Sequence, residues 1–245
     1  MRDISASTVS EKKMFTAIQN AIKAYPNGII GAQTMSDLAI KVGAKCFPVT
    51  LQLYGCPTII GNDLLAFDPN SGLKNYGNTI SGSFTYPSGQ TPCSILVNNG
   101  KTVCGYACHA YTTNQPESVI YRLNNGKFGI KRVKFTTELP KDVKWAVGGM
   151  GLLNFYDPVG EGFTGAQAGV VRKTAHTVLG VKNNMVYGVY YKNMTGAQIN
   201  AHCRDKMQFE MAIMLDGGHI AAINGAEKFA QINTSQKQGY GIQFI

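Results

Sequence analysis

The sequence is poor in charged residues and in long apolar runs, and these deficits exclude several classes of protein. Charged residues make up 15% of the 245 positions, with only 14 acids, four histidines and one tryptophan, against roughly 25% charged residues in an average soluble domain. No apolar run reaches the 18 residues or so that a membrane-spanning helix requires. The opening segment, MRDISASTVSEKK, lacks the apolar centre of a signal peptide. We therefore predict no membrane span and synthesis in the cytoplasm without a signal peptide.

Cysteine and histidine do not form a recognisable metal site. The closest approach is Cys104-Gly-Tyr-Ala-Cys108-His109, which has no second ligand pair downstream. We interpret the six cysteines as buried free thiols, although disulfides after release from the cell are an alternative. No cofactor and no metal are predicted. A metal held by Asp216, His219 and His176 is a further alternative that the spacing does not require.

The formal net charge is +9, which attracts polyanions by long-range steering. Nucleic acid, an anionic membrane and an anionic cell wall all fit that charge. The densest basic cluster contains Lys127, Lys131, Arg132, Lys134, Lys141 and Lys144. We interpret this cluster as a solvated strand face. Since no zinc-finger, basic-zipper or RNA-recognition motif is present, nucleic acid is not the expected partner.

The first 45 residues have the pattern of two short amphipathic helices. Thr8 and Glu11 fit a capping box. One apolar stripe follows at helical spacing, through Met14, Ile18, Ile22 and Tyr25. Residues 26–28, Pro-Asn-Gly, interrupt it, and a second helix is predicted from Thr34 to Gly43. The prediction is a helical hairpin over residues 1–45.

From residue 46 the pattern changes to short β-type runs separated by turn clusters. Asn-Gly or Asn-Asn pairs between apolar runs indicate hairpins. Strands are predicted at 49–54, 94–97, 118–123, 128–135, 145–147, 178–181, 185–191, 211–215 and 239–245. One helix is expected from Thr195 to Met207. The fold class predicted for residues 46–245 is therefore α+β, with a large mixed or antiparallel sheet and few helices.

Two resemblances suggest a function. Residues 27–43 resemble a peptidoglycan-binding helical module, in which a G-x-x-G-x-x-T turn leads into a helix; here Gly28, Gly31 and Thr34 match. A plain helical hairpin is the alternative. Six further segments, in order, resemble the phosphodiester glycosidase family, and they cover about residues 49 to 245: 81–84, 89–100, 146–153, 176–181, 194–196 and 215–218.

The second resemblance implies a functional site, although this sequence differs from the family at several positions of that site. Asp216, Gly217 and Gly218 match the family, whereas His176 stands where the family has arginine and Ser81 where it has asparagine. The remaining substrate-binding positions that we assign are Arg172, Gly82, Gly148 and Gly149. An arginine near a phosphodiester can bind its oxygens in pairs. The departures affect phosphodiester specificity more than glycoside cleavage.

The residues themselves also point to Asp216. It follows a buried apolar run, and a carboxylate held there and partly desolvated has a raised pKa. Two glycines after it permit a sugar or phosphate to approach the backbone, and His219 lies close enough to share the cleft for acid–base chemistry. Glycosidases usually use two carboxylates. Glu161 is the best second candidate in a loop, although an exposed, uninvolved charge is the default interpretation of that residue.

The function predicted from these features is a hydrolase that cleaves a glycosidic or sugar-phosphodiester bond in a bacterial cell-wall polymer. The expected partner is a cell-wall glycan or teichoic acid. A phage lysin or virion-carried enzyme would act on the wall after release or from a phage particle. The alternatives are a catalytically inactive carbohydrate-binding or wall-binding protein on the same fold, and a nucleotide or nucleic-acid binder.

Overall fold

Antiparallel β-sheet dominates this computed structural model, which describes residues 4–5, 16, 29–30, 48–67, 73, 76–86, 91–107, 115–225 and 240–245. The strands form sheets of two, ten and four strands. Every described strand pair is antiparallel. One α-helix lies within the described ranges. The expected antiparallel sheet with few helices is therefore confirmed, in a fold that is mostly β.

The strands, in chain order, are as follows. They are β1 (Ile4–Ser5), β2 (Ile29–Ile30), β3 (Val49–Leu53), β4 (Cys56–Gly61), β5 (Leu64–Phe67), β6 (Thr79–Ser81), β7 (Leu96–Asn98), β8 (Lys101–Cys104), β9 (Glu117–Leu123), β10 (Phe128–Val133), β11 (Val143–Gly151), β12 (Thr174–Lys182), β13 (Met185–Met194), β14 (Met211–Gly217), β15 (Ile223–Asn224) and β16 (Gly241–Phe244). The large sheet has the order β10-β9-β11-β14-β12-β13-β4-β3, with β7 and β8 added beside β11. The small sheet has the order β15-β6-β16-β5, and β1 pairs with β2.

The hairpins form where the sequence places asparagine and glycine between apolar runs. Asn183 and Asn184 join β12 to β13 with φ angles of 51° and 58°. Both residues having positive φ is the geometry of a type I′ turn, whose twist matches that of the flanking strands. Asn99 and Gly100 join β7 to β8 in the same way, with φ angles of 48° and 74°. These two hairpin connections are therefore encoded by local turn chemistry.

The strand β14 is buried on both faces, which explains its apolar sequence. Ala212 and Met214 pack into one hydrophobic cluster, and Ile213 and Leu215 pack into the other. The second cluster also holds residues of the small sheet, such as Ile80, so it fills the space between the two sheets. Because side chains alternate along a strand, Asp216 lies on the same face of β14 as Met214. This face is opposite to the small sheet, and the helix covers it.

The helix, α1 (Gly196–His202), covers that opposite face. The Thr195 hydroxyl accepts a hydrogen bond from the amide of Gln198, and the Gln198 side chain accepts one from the amide of Thr195, so a capping box begins the helix. A π-helical turn (Cys203–Met207) continues it, and Gln208 ends it in the left-handed conformation. The predicted helix from Thr195 to Met207 is confirmed.

In the part of the chain that the structure describes, four short 3-10 helices connect the larger elements. They are Thr136–Glu138, Leu153–Phe155, Gly165–Val171 and Gly218–Ile220. The last two of these helices border the candidate site described below.

The strand β11 is three times longer than predicted. The sequence places glycines at 148, 149 and 151, and glycine ordinarily weakens a strand. Here neighbouring strands approach so closely that a side chain would not fit: a Cβ atom on Gly149 would lie 2.5 Å from the carbonyl oxygen of Met214. The glycines therefore permit neighbouring strands to pack closely, and they do not end β11.

The predicted N-terminal helical hairpin and the peptidoglycan-binding-like turn lie almost wholly outside the described residues. Within residues 1–45 the structure describes a two-residue ladder between Ile4–Ser5 and Ile29–Ile30, and a helical Thr16. The domain boundary near residue 45 stays a prediction.

The described cysteines and helices bear on two other predictions. Four cysteines fall within the described ranges, Cys56, Cys93, Cys104 and Cys203, and all four are free thiols. No helix in the described ranges is long and apolar enough to cross a membrane.

Candidate functional site

A pocket of about 180 Å³ opens at the end of β14, on the side of the large sheet that α1 covers. Water occupies roughly 30 Å³ per molecule in the liquid, so the pocket has room for about six waters or one small ring. Its lining comes from β12, from the end of β14 and from the 3-10 helices on either side. The lining residues are Gly169, Val170, Arg172, Thr174, His176, Asp216, Gly217, Gly218 and His219.

The Asp216 carboxyl is held firmly at the floor of this pocket. Its backbone amide donates to the carbonyl of Gly82 at 3.2 Å, and its own carbonyl accepts from the Thr177 hydroxyl at 2.9 Å. The side-chain Oδ1 accepts from the Gly217 amide at 2.8 Å. Burial raises the pKa of Asp216 to about 7, against the opposing effect of amide hydrogen bonds from Gly217 and Thr85. The carboxyl is therefore about half protonated near neutral pH, as a proton donor requires.

Gly217 and Gly218 make the tight turn that follows Asp216. A Cβ atom on Gly217 would lie 2.9 Å from the carbonyl of Ala175 and 3.0 Å from Nδ1 of His176. Gly218 has φ of 65°, a left-handed conformation that side chains disfavour. Both glycines line the pocket. At Gly218 nothing lies within 4 Å of the Cβ position, so a ligand can approach the backbone there.

His176 lies under the pocket and is only 1% exposed. Its Nε2 is 3.0 Å from the carbonyl oxygen of Arg172, to which it donates when Nε2 carries the proton. Burial lowers the pKa of His176, against the backbone carbonyls of Arg172 and Met194, which favour the charged form. The ring is therefore neutral at neutral pH. Its contact with the Arg172 carbonyl holds the Arg172 backbone at the pocket.

His219 and Arg172 form the exposed rim of the pocket. In the described part of the chain, the Arg172 guanidinium makes no hydrogen bond or ion pair with another side chain, and it lies beside Gly169. A free guanidinium at the mouth of a pocket is suited to bind an anionic group. The sequence-predicted residues Asp216, His219, His176, Arg172, Gly217 and Gly218 thus share one pocket.

Ser81 and Gly82 lie behind the Asp216 turn and outside the pocket lining. The Ser81 hydroxyl donates to the carbonyl of Ile220 at 2.8 Å and accepts from the amide of Ala222 at 2.6 Å. The amide of Ser81 also donates to the carbonyl of Ala222 at 3.0 Å. These bonds fix the C-terminal end of the turn that carries His219, and the Gly82 carbonyl fixes its start by accepting from the Asp216 amide. The two residues support the site from the small sheet.

Gly148 and Gly149 also lie outside the pocket lining, within β11. Gly149 packs against the backbone of Met214, and Gly148 against the carboxylate of Glu117. Glu117 is fully buried and accepts hydrogen bonds from the Ser94 hydroxyl and the Ile95 amide. Gly148 thus leaves room for a buried carboxylate, and Gly149 allows β14 to approach β11 closely.

Glu161 is fully buried, which corrects the interpretation of that residue as an exposed charge. Its carboxylate accepts from the Ser118 hydroxyl at 2.5 Å and from the Gly151 amide at 2.7 Å, and Nε of Arg132 lies 3.5 Å away. These partners explain the burial, because a buried carboxylate needs hydrogen bonds. Gly151 pairs with Ile213, three residues of strand from Asp216, or about 10 Å. Glu161 joins the 157–163 loop to the sheet and does not line the Asp216 pocket.

Sequence reasoning did not identify Gly169, Val170 or Thr174 as pocket residues. Thr174 could have been found, because it lies two residues before His176 and alternate strand residues share a face. Gly169 and Val170 belong to a 3-10 helix with no sequence pattern that marks it. Within the described ranges, no three His, Cys, Asp or Glu side chains gather as a metal site would require.

Solved structures share this fold. The catalytic domain of N-acetylglucosamine-1-phosphodiester alpha-N-acetylglucosaminidase from zebrafish, in a form auto-inhibited by its pro-peptide, matches with a TM-score of 0.55 and 12% identity over 81% of each chain. A hypothetical protein from Synechocystis matches with a TM-score of 0.52 and 10% identity, over 80% of this chain and 61% of the other. The sequence matches no protein-family profile and no curated protein at a significant level. The chain thus has the fold of a glycosidase catalytic domain.

Proposed function

We propose that the chain is a hydrolase that cleaves the glycosidic bond of a sugar phosphodiester or a related anionic glycan. The observation that carries this proposal is the pKa of the Asp216 carboxyl, which burial raises to about 7. The carboxyl lies in a pocket that has Arg172 at its mouth. A perturbed carboxyl in a cleft is a recognised mark of a catalytic site. The fold shared with a phosphodiester glycosidase domain supports the same reaction class.

In the proposed reaction, protonated Asp216 donates its proton to the oxygen that leaves the anomeric carbon. The bond between that carbon and the leaving oxygen breaks, and a bond to a water oxygen forms. His219, at the rim of the same pocket, accepts the proton that the water loses. Arg172 binds the anionic group of the substrate, and solvent returns Asp216 and His219 to their starting protonation states. This division of labour is general acid–base catalysis.

Among the described residues that line the pocket, Asp216 is the single carboxylate. Glycosidases usually use a carboxylate pair, so this count favours a second candidate function, a carbohydrate-binding protein that retains the fold without turnover. In that case Arg172 and the glycine turn would bind a glycan, and Asp216 would act only as a hydrogen-bond partner.

We also propose an anionic polymer of the bacterial cell wall, such as teichoic acid, as the substrate. The net charge of +9 supports attraction to a polyanion. Exposed Arg172 lines the pocket, and exposed Lys173 follows it in the chain. The basic cluster at 127–144 supports it less, because Arg132 and Lys144 are engaged with Asp157 and Asp63. A phage lysin or virion-borne enzyme would bring the chain to such a wall.

The test incubates the full chain with Gram-positive cell walls and identifies the soluble products by mass spectrometry. Asp216→Asn removes the proton donor. Asp142→Asn makes the same chemical change at an exposed position remote from the pocket and serves as the matched control. We expect sugar fragments from the wild type and from Asp142→Asn, and none from Asp216→Asn. Arg172→Gln should raise KM more than it lowers kcat, because it removes binding and not proton transfer.

Two results would count against the hydrolase. If all variants pellet with the walls and none releases fragments, the chain is a binding protein. If Asp216→Asn releases as much as the wild type, the carboxyl is not the proton donor. A panel of small phosphodiester-linked and simple glycosides, followed in the same way, separates the bond type from the identity of the wall polymer.

A further inference from the structure

A second and larger pocket, of about 420 Å³, lies at the other end of β11. Its walls are the β7–β8 hairpin, the turn after β10 and the start of β11 at Val143. From the pairing of Met150 with Met214, Asp216 lies level with Gly148, five residues or about 17 Å of strand from Val143. The pocket is separate from the Asp216 site, and its volume falls within the range of about 300–1,000 Å³ that is typical of small-molecule sites.

The lining of this second pocket combines an apolar floor with a hydroxyl rim. Val97, Leu139 and Val143 are each less than 9% exposed and form the floor. Thr102 and Thr137 are exposed at the rim, and within the described ranges their hydroxyls have no intramolecular hydrogen bond. Pyranose rings present both apolar CH faces and hydroxyls, so both parts of this lining have a counterpart in a sugar.

The charge at the second pocket is positive. Lys141 is the single charged residue among the described residues of its lining. Glu138 and Asp142, the acids nearest to Lys141 in the chain, are both absent from the described lining. The Glu138 carboxylate is held by the backbone amides of Lys134 and Phe135, at 2.8 and 2.9 Å, whereas Lys141 is exposed at the pocket. A ligand with a negative group is favoured over a neutral one.

We propose that this pocket is a binding site for a sugar unit that carries a phosphate or a carboxylate. The ring packs on the apolar floor, the ring hydroxyls bond to the threonines, and the anionic group meets Lys141. A nucleotide would share the anionic group, but no aromatic side chain is found in the described lining, so a nucleobase has no ring to stack on. This inference does not depend on the activity proposed for Asp216.

The test is a residue-resolved NMR titration of the full chain with glucose 1-phosphate, glucuronate, glucose and inorganic phosphate, up to about 10 mM, which detects weak binding. Amide signals of Thr102 and of residues 136–141 report on the pocket. The charged sugars should bind about 2–5-fold more tightly than glucose, as expected for one exposed ion pair. Lys141→Gln should abolish that preference, and Thr137→Val should weaken all three sugars by about 2–10-fold.

The result separates this site from the catalytic proposal. The same titration of Asp216→Asn should be unchanged, whether or not that variant has lost hydrolase activity. The proposal is overturned if no sugar moves these signals, or if inorganic phosphate binds as well as glucose 1-phosphate. It is also overturned if glucose binds as tightly as the charged sugars or if adenosine monophosphate binds more tightly than glucose 1-phosphate.

Discussion

The raised pKa of Asp216 predicts that replacing this residue stabilises the protein, and that the gain depends on pH. The carboxyl has an ordinary pKa of 3.8 in the unfolded chain and about 7 in the folded chain. Below pH 3.8 both states hold the proton, so Asp216→Asn changes nothing through ionisation. Between pH 3.8 and 7 the unfolded chain ionises while the folded carboxyl stays protonated. Raising the pH over that interval therefore favours unfolding.

The size of the effect follows from the gap between the two pKa values, about three pH units. At about 1.4 kcal/mol per unit, the loss of folding free energy is roughly 4 kcal/mol once the pH exceeds 7. Asp216 as a residue is partly exposed, so solvent screening reduces part of that penalty. We therefore expect Asp216→Asn to be about 2–4 kcal/mol more stable than the wild type at pH 8, relative to the difference at pH 4.

The assay is urea unfolding followed by tryptophan fluorescence, repeated at pH steps from about 4 to 8.5. The only tryptophan, Trp145, is 1% exposed, and its indole N–H donates to the Asp63 carboxylate at 2.6 Å, so its emission reports loss of the core. Asp142→Asn is the control, since it changes an exposed carboxyl in the same way. If the stability difference between wild type and Asp216→Asn stayed constant over the whole pH range, the burial argument for Asp216 would be wrong.

Three other predictions concern catalysis and the support of the site. If Asp216 is the proton donor, the rate of hydrolysis of a small chromogenic glycoside should fall as the pH rises through about 7. Asp216→Asn should lower kcat for that substrate by about 100–10,000-fold. A rate that does not change with pH would contradict the role. Ser81→Ala leaves the Ala222 amide without its hydroxyl partner, so the free energy of unfolding should fall by about 1–3 kcal/mol. Ser83→Ala removes a hydrogen bond of 3.3 Å and should lower that free energy less. Equal losses for the two variants would argue against the role given to the two hydrogen bonds of the Ser81 hydroxyl. Glu161→Gln should lower stability by about 1–3 kcal/mol in the same urea assay and leave the pH profile of activity unchanged; a shifted profile would place Glu161 in the chemistry.

The parts of the fold that sequence predicts are those with strong local signals. The turn at 183–184, the capping box at Thr195 and the buried run of β14 each depend on a few adjacent residues. The strand β14 was predicted as buried because five apolar residues in a row need cover on both faces. Its conformation and the raised pKa of Asp216 at its end followed from that burial.

The parts that sequence did not predict depend on contacts distant in the chain. The glycines of β11 look like breakers until the close approach of β14 is known. The roles of Ser81 and Gly82 depend on the turn after Asp216, which meets them across the two sheets. Glu161 was predicted as exposed because single sequences do not show that Ser118 and Gly151 reach its carboxylate. The resemblance placed Ser81 near Asp216, but only geometry separates a ligand contact from a backbone support.

The bonds of Ser81 to the Asp216 turn also set when the site can form during synthesis. Ser81 and Ala222 are 141 residues apart, and at about 5–20 residues per second the ribosome needs roughly 7–28 s to make the chain between them. Closing so long a loop costs entropy that only the finished contacts recover, and such distant strand pairs fold slowly. The strand β6 must therefore wait for partners that are made much later. The candidate pocket at Asp216 should therefore assemble as one of the last events of folding, when most of the large sheet is already available.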